Sequence, residues 1–507
     1  EERRVGTVVD VFNVGEVGAQ TIGVMRHGRS MIGKFLFMEF CRIVWVAEEQ
    51  RFFQQSNRLR VLSETRVFRE QLMWENQQNG FQWEMLSGRF FMTQKALICH
   101  LASNRKQSHL PPNRFPRSLI MPVNNRIADF QDEVAEWRQT IHQHPGLLYD
   151  VEETAALVVE KLKSFGVDEV VEGIGRTGVV GVIKGRQNGS GKVVGMRADM
   201  DALPIHEETG LDYASKTDGA MHACGHDGHT AMLLGAAQYL AETRNFDGTV
   251  VVIFQPAEEG GGGGREMCED GMMEQFGIQE VYGMHNWPGL PVGEFAIRPG
   301  AFFASADQFE MVIEGKGGHA AKPHLAVDAT VVASHVVIAL QTIASRIVSP
   351  VEQIMVSVTS FETSSKAHNV IPQTVHLRGT VRTLSDETRD LAEKSLIEIA
   401  QGTAAAFGAT ANVDYTRGYP VMVNSEVQTE FAAEVAKSVA GKCEFANQTM
   451  GGEDFAFMLQ ERPGAYIFVG NGEGADVHHP EYVFNDEAMP AGCSWWAEIV
   501  EQRMPAG

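Results

Sequence analysis

Five short segments of this 507-residue chain carry side chains able to bind a divalent cation and activate water. The first is Cys224-Gly225-His226, a turn just ahead of an apolar helical stretch. Three more follow runs rich in β-branched residues: Asp199-Met200-Asp201, Pro256-Ala257-Glu258-Glu259 and His285-Asn286. The fifth is the late pair His478-His479. Zinc-type cations accept thiolate, imidazole and carboxylate ligands together. Taken singly, Cys224 reads as a buried apolar cysteine and His285 as a hydrogen-bonded core histidine. The joint occurrence with Asp199, Asp201, Glu258, Glu259 and the histidine pair is what points to a metal centre. Glu258 and Glu259 are adjacent, so one can face the metal while the other reaches the water to be activated, the division of labour that hydrolysis needs.

Two glycine-rich stretches flank this set. Gly260–Gly264 is a run of five glycines, but it lacks the G-x-x-x-x-G-K-[ST] spacing of a phosphate cradle and follows carboxylates that repel phosphate. It reads as a flexible loop. Gly315-Lys316-Gly317-Gly318-His319 lies between a strand and a helix, a setting from which His319 can reach across a cleft and donate to a developing oxyanion, within its own subunit or into a partner's.

The elements that must position these groups begin near residue 121. Helical periodicity runs through Phe130, Val134, Trp137 and Ile141, then through Ala155, Val158 and Leu162 to a stop at Gly166. Continuous apolar runs at 178–183, 193–196, 250–254, 281–284 and 466–469 have the length and composition of strands buried on both faces. Helices such as 230–242 lie between them. This alternation predicts an α/β fold, a mostly parallel sheet covered by helices, with the candidate ligands at its carboxyl edge. From 305 to 417 the order becomes β-α-β-β-α-β, that of a ferredoxin-like unit. We therefore expect a catalytic domain in two parts, 121–304 and 418–507, interrupted by an inserted lid or dimerisation domain at 305–417 that closes over the site.

Composition narrows the function classes. The net charge of -22 excludes nucleic acid and anionic membrane as expected partners, since both need a positive footprint. Six scattered cysteines fit a reducing compartment, and no uninterrupted apolar run approaches about 20 residues, so a cytoplasmic location is expected. Residues 1–120 differ from the rest: 17 Lys+Arg stand against 11 Asp+Glu there, while 26 stand against 54 downstream. This segment has little periodicity and ends in a Pro-rich stretch at 111–116. It reads as an upstream extension, adventitious or disordered, or as a small separate domain, with Met121 as a candidate start.

From Met121 to about Trp496 the chain resembles the di-metal aminoacylase and carboxypeptidase amidohydrolases, in the branch of hippurate hydrolase and IAA-amino acid hydrolases. The resemblance rests on nine ordered motifs: WRQTIHQHP (137–145), RADMDALP (197–204), HACGHDGHTA (222–231), FQPAEE (254–259), GMHNWP (283–288), KGGHAAKPH (316–324), HNVIP (368–372), GGEDF (451–455) and HHPEYVFND (478–486). It implies a zinc-exopeptidase-like catalytic domain holding two divalent ions, Zn, Mn, Ni or Co, through Cys224, His226, Glu259, His285 and His478. It further implies Glu258 as general base, Asp201 as a carboxylate that orients a ligand, and His319 and Asn369 as groups that bind the substrate carboxylate or the oxyanion. The wider family carries a His-x-Asp pair where this chain has Asp199-Met200-Asp201, which puts Asp199 in doubt as a ligand. The implied reaction is hydrolysis of an N-acyl amino acid, a small-molecule substrate, by a homodimer or homotetramer. A dipeptidase, a carboxypeptidase or a deacetylase of an amino-acid intermediate would share this apparatus. A non-catalytic binding protein would have lost a ligand or the base, and none is missing.

Overall fold

The computed structural model describes residues 125–507 and three upstream strands, Arg58–Val61, Trp83–Leu86 and Arg89–Thr93. The chain divides into two compact units, Glu1–Ser118 and Leu119–Gly507. In the first unit, Arg89–Thr93 lies between the other two strands and pairs antiparallel with both. These strands lie where the sequence offers little periodicity. Two of them are separated by only two residues, the spacing of a tight hairpin. The remainder of residues 1–120, and with it their reading as a disordered or adventitious extension, falls outside the described residues.

The second unit is built on an eight-stranded sheet. Its order is Cys443–Phe445, Phe295–Ile297, Gly464–Gly472, Glu280–Pro288, Val193–Asp199, Thr249–Gln255, Gly178–Lys184, Glu169–Ile174. The four central strands run parallel. The flanks do not: Gly178–Lys184 pairs antiparallel with both its neighbours, and Phe295–Ile297 is antiparallel to Gly464–Gly472. The expectation of a mostly parallel sheet therefore holds for its centre only. Three residues join Glu169–Ile174 to Gly178–Lys184, and so short a link can return a strand only antiparallel. Each expected apolar run is a strand, and Val193–Asp199 and Thr249–Gln255 are buried almost throughout. The helix His226–Thr243 is buried around nearly its whole circumference and packs against Gln131–Gln143 and Met489–Arg503. Apolar on all sides, it has nowhere to sit but between layers.

Residues 306–419 form a second sheet, antiparallel throughout, ordered Ile354–Thr363, Thr374–Thr383, Ala306–Glu314, Thr410–Tyr419. Along Ala306–Glu314 burial alternates, with Phe309, Met311 and Ile313 turned inward against the helices Ala329–Leu340 and Asp386–Ala406. The helical stretch Ala329–Ile347 is long and apolar enough to cross a membrane by length and composition, although polar residues interrupt it. Its buried residues Val332, Ala333, Val336 and Leu340 cover the sheet, which accounts for part of that apolarity. Asp328 caps the helix by accepting from the amides of Thr330 and Val331. Replacing it with Ala should lower stability by about 1 kcal/mol, read as an earlier urea midpoint at unchanged slope.

Candidate metal centre

The ends of the central strands bring the candidate ligands to one edge. Gly225 holds the turn before the helix at φ +90°, and a Cβ there would lie 2.3 Å from Asn286 Nδ2. That close approach lets Asn286 Nδ2 donate to the Cys224 carbonyl at 2.6 Å, tying the turn to the Glu280–Pro288 strand. On the other side the His478 amide donates to the Ala223 carbonyl at 2.7 Å, with His478 itself at φ 65°. A non-glycine residue in the left-handed region is strained, and here the strain sets a candidate ligand beside the turn.

Two groups of potential ligands result. Ligand atoms of Cys224, His226 and His285 lie within 4.8 Å of one another, and so do those of Cys224, Glu259 and His478. Cys224 belongs to both. His285 Nε2 is 3.4 Å from Cys224 Sγ, and His478 Nε2 is 3.3 Å from Glu259 Oε1. His479 points elsewhere, its Nδ1 accepting from the Glu481 amide.

The hydrogen bonds assign the histidine tautomers. His226 Nδ1 donates to the Asp201 carbonyl at 2.9 Å, and His285 Nδ1 to the Asn286 carbonyl at 2.5 Å. Both rings therefore turn Nε2 inward as the nitrogen left to ligate once it is unprotonated, and that of His226 is buried with no hydrogen-bond partner. Fixing one nitrogen on a carbonyl so that the other can ligate is how metal-binding histidines are usually held. Glu259 Oε1 is likewise buried, with His478 Nε2 beside it at 3.3 Å.

Charge tells the same story. Burial, with Glu259, Glu258 and Asp199 around it, pushes the Cys224 thiol well above its usual range. Burial alone would depress His226, yet Asp199 and Asp201 raise it to about 10. Burial also raises Asp201, and burial with Glu453 and Glu259 raises Glu258 well above the carboxylate range. Acids and a thiol outnumber the basic groups at this site, and a divalent cation would supply the positive charge that the donor set calls for. The residues present fit such an ion.

Asp199 is occupied elsewhere: its oxygens take Arg197 at 2.7 Å and His229 Nδ1 at 2.6 Å. His229 accepts at its other nitrogen from the Asn286 amide, so neither nitrogen is open to a metal. Asp201 instead holds the glutamates, its two oxygens accepting from the Glu258 and Glu259 amides at 2.9 and 3.0 Å. Behind them Arg197, wholly buried, is paired with Asp199, Glu453 and Asp454. Glu258 forms a second acidic group with Glu453 and Asp454. The sequence motifs contain Arg197, Glu453 and Asp454, but only the folded contacts reveal that they share one buried network.

His319 and Asn369 come together in the inserted segment, and neither belongs to a group of candidate ligand atoms. His319 pairs with Val370 in a two-stranded ribbon, and the Ala320 amide donates to the Asn369 carbonyl. Both are exposed.

The glycine run departs from its expected flexibility. Gly262 caps the helix Gly263–Glu269, so the run turns and enters a helix. A Cβ on Gly263 would lie 1.8 Å from the Pro256 carbonyl oxygen, and the Gly264 amide donates to Asp454 at 2.8 Å. These glycines serve close packing.

Residues 195–502 match Peptidase family M20/M25/M40. Hippurate hydrolase of Campylobacter jejuni is 43% identical over 376 residues, covering 74% of this chain and 97% of that protein. N-acetylcysteine deacetylase of Bacillus subtilis is 37% identical over 375 residues, 73% of this chain and 96% of its own. Among solved structures, the Bacillus subtilis YXEP protein, a dinuclear metal binding peptidase from the M20 family, is similar with a TM-score of 0.66 at 34% identity, over 74% of this chain and 99% of that one.

Proposed function

The chain belongs to peptidase family M20/M25/M40, and from that premise we propose how it performs metal-dependent hydrolysis of the amide bond of N-acyl amino acids. Cys224, His226, His285, Glu259 and His478 would hold two divalent ions, and the Cys224 thiol belongs to both groups of candidate ligand atoms. The observation that carries this reading is the sharing of one thiol between two groups of ligand atoms. Bound there, such ions lower the pKa of water toward neutrality and polarise an amide carbonyl.

Glu258 is the general base: it takes the proton of the attacking water and passes it to the leaving nitrogen. Its neighbours support the role, since its carboxyl groups with those of Glu259 and the ring of His226. Asp201 orients both sides of the site, gripping the glutamate amides and accepting His226 Nδ1 at its carbonyl. The 306–419 layer is a ferredoxin-like lid that presents His319 and Asn369 to the substrate carboxylate or the oxyanion. Val331 and Ile338 stand exposed on its Ala329–Leu340 helix, and Ile354–Thr363 is an edge strand. Both support a homodimer or homotetramer joined through this layer, and a monomer in sedimentation would count against it.

A panel of N-acyl amino acids and dipeptides, assayed with defined divalent metals, tests the function. N-benzoylglycine or N-acetyl amino acids should be turned over, and a chelator should abolish activity until metal is restored. Turnover confined to dipeptides, or insensitive to chelation, would overturn the reading.

A further inference from the structure

The loop that carries the two glutamates is gripped from two directions. From the sheet, Asp201 accepts the Glu258 and Glu259 amides. From the inserted layer comes Tyr419, the last residue of the strand Thr410–Tyr419. Its hydroxyl donates to the Glu258 carbonyl at 2.6 Å and accepts from the amides of Gly260 and Gly262 at 2.9 and 3.0 Å. A phenolic oxygen has one proton and two lone pairs, so this geometry uses its whole capacity on one loop. The ring packs edge-on against Phe457 at 6.1 Å.

The loop needs such a grip. Ala257 sits buried at φ 54°, Gly260 at φ +96° and Gly262 at φ +73°, three left-handed residues within six. The two glycines adopt this freely, but the alanine's conformation persists only where its surroundings hold it. Tyr419 also marks the junction of the layers. It pairs with Ala306 as the chain enters the inserted layer, and the ladder of this pair is irregular between Ala306 and Gln308. The residue at the exit of the inserted layer is thus bonded to the backbone of the proposed base.

We propose that Tyr419 is a positioning residue, through which the inserted layer fixes the Glu258–Gly262 backbone and so aims the Glu258 and Glu259 carboxyl groups. The proposal rests on the assignment of Glu258 as base. Removing the hydroxyl leaves the ring, its packing and the ligands outside the loop in place, while the loop loses three hydrogen bonds and relaxes. Misplacement of a reacting group by about 1 Å costs roughly a hundredfold in rate.

The test compares full-length wild type, Tyr419→Phe and Glu258→Gln, each metal-loaded, by steady-state kinetics and by hydrogen–deuterium exchange of peptides spanning 257–264. In Tyr419→Phe, kcat should fall roughly tenfold to a hundredfold with KM within about twofold and metal content unchanged, and exchange should rise at Gly260 and Gly262. Unchanged exchange in this variant overturns the proposal, whatever Glu258 proves to do. Raised exchange with wild-type kcat, or a change in KM alone, overturns its catalytic half. Retained turnover in Glu258→Gln would refute the base assignment separately, with the exchange data still deciding what Tyr419 holds.

Discussion

Glu258→Gln should retain fold and divalent metal and lose turnover by about 10²–10⁴-fold, the range a general base contributes. Glutamine preserves the side chain's shape, and the Asp201 bonds run to backbone amides that the substitution does not touch. What is lost is the capacity to accept a proton. Stability should not fall with activity. In the metal-free protein, burial, Glu453 and Glu259 hold the Glu258 carboxyl well above the ordinary range. A carboxyl whose folded pKa is raised costs stability as pH climbs past its unfolded value of about 4.3. A neutral amide avoids that cost, so at pH 8 the metal-free variant should melt no lower than wild type. Hydrolysis of N-benzoylglycine and N-acetyl-Met, elemental analysis and a thermal melt read the three quantities together. Turnover near wild type would remove Glu258 from the chemistry, and loss of metal would show a ligand instead.

The contrast between Glu258 and Asp199 shows what a sequence can reveal about such a site. Glu259 and His285 are legible because ligand types follow apolar strand runs, and parallel central strands deliver their ends to one edge, while Cys224 is legible from the turn before its apolar helix. Asp199 has the same chemistry and an equivalent place, yet Arg197 and His229 occupy it. That depends on pairs formed only in the folded interior. The glycine run misleads for a related reason. Gly263 approaches the Pro256 carbonyl closely, and the run's partner Tyr419 lies about 160 residues away with no motif to announce it. The sheet's antiparallel flank was hidden because apolar runs report burial and not direction. His319 and Asn369 are motif residues that the fold brings into one small ribbon and leaves exposed.

Cys224→Ala should produce the second large effect, because it deletes the one atom common to both ligand groups. Loss of partners around bound ligands alone lowers metal affinity by about 10–100-fold, and removal of a shared thiolate should exceed that. Elemental analysis after gel filtration should find well under the wild-type metal content, with activity lost in proportion. Proton release separates ligation from packing. The Cys224 thiol, raised by burial and its acidic neighbours, is neutral in the metal-free protein, and His226, at about 10, carries an extra proton at pH 8. Both must lose a proton before they can ligate. Loading the wild-type apoprotein in weak buffer at pH 8 should therefore release roughly two protons from these groups, and Cys224→Ala about one fewer at metal concentrations high enough to fill the site. A buried cysteine serving only as a small apolar side chain predicts the opposite: full metal content and the same proton count in both proteins. Cys224→Ser refines the comparison, since a hydroxyl fills the space but stays protonated, so it should follow the alanine variant in proton release while restoring any packing lost.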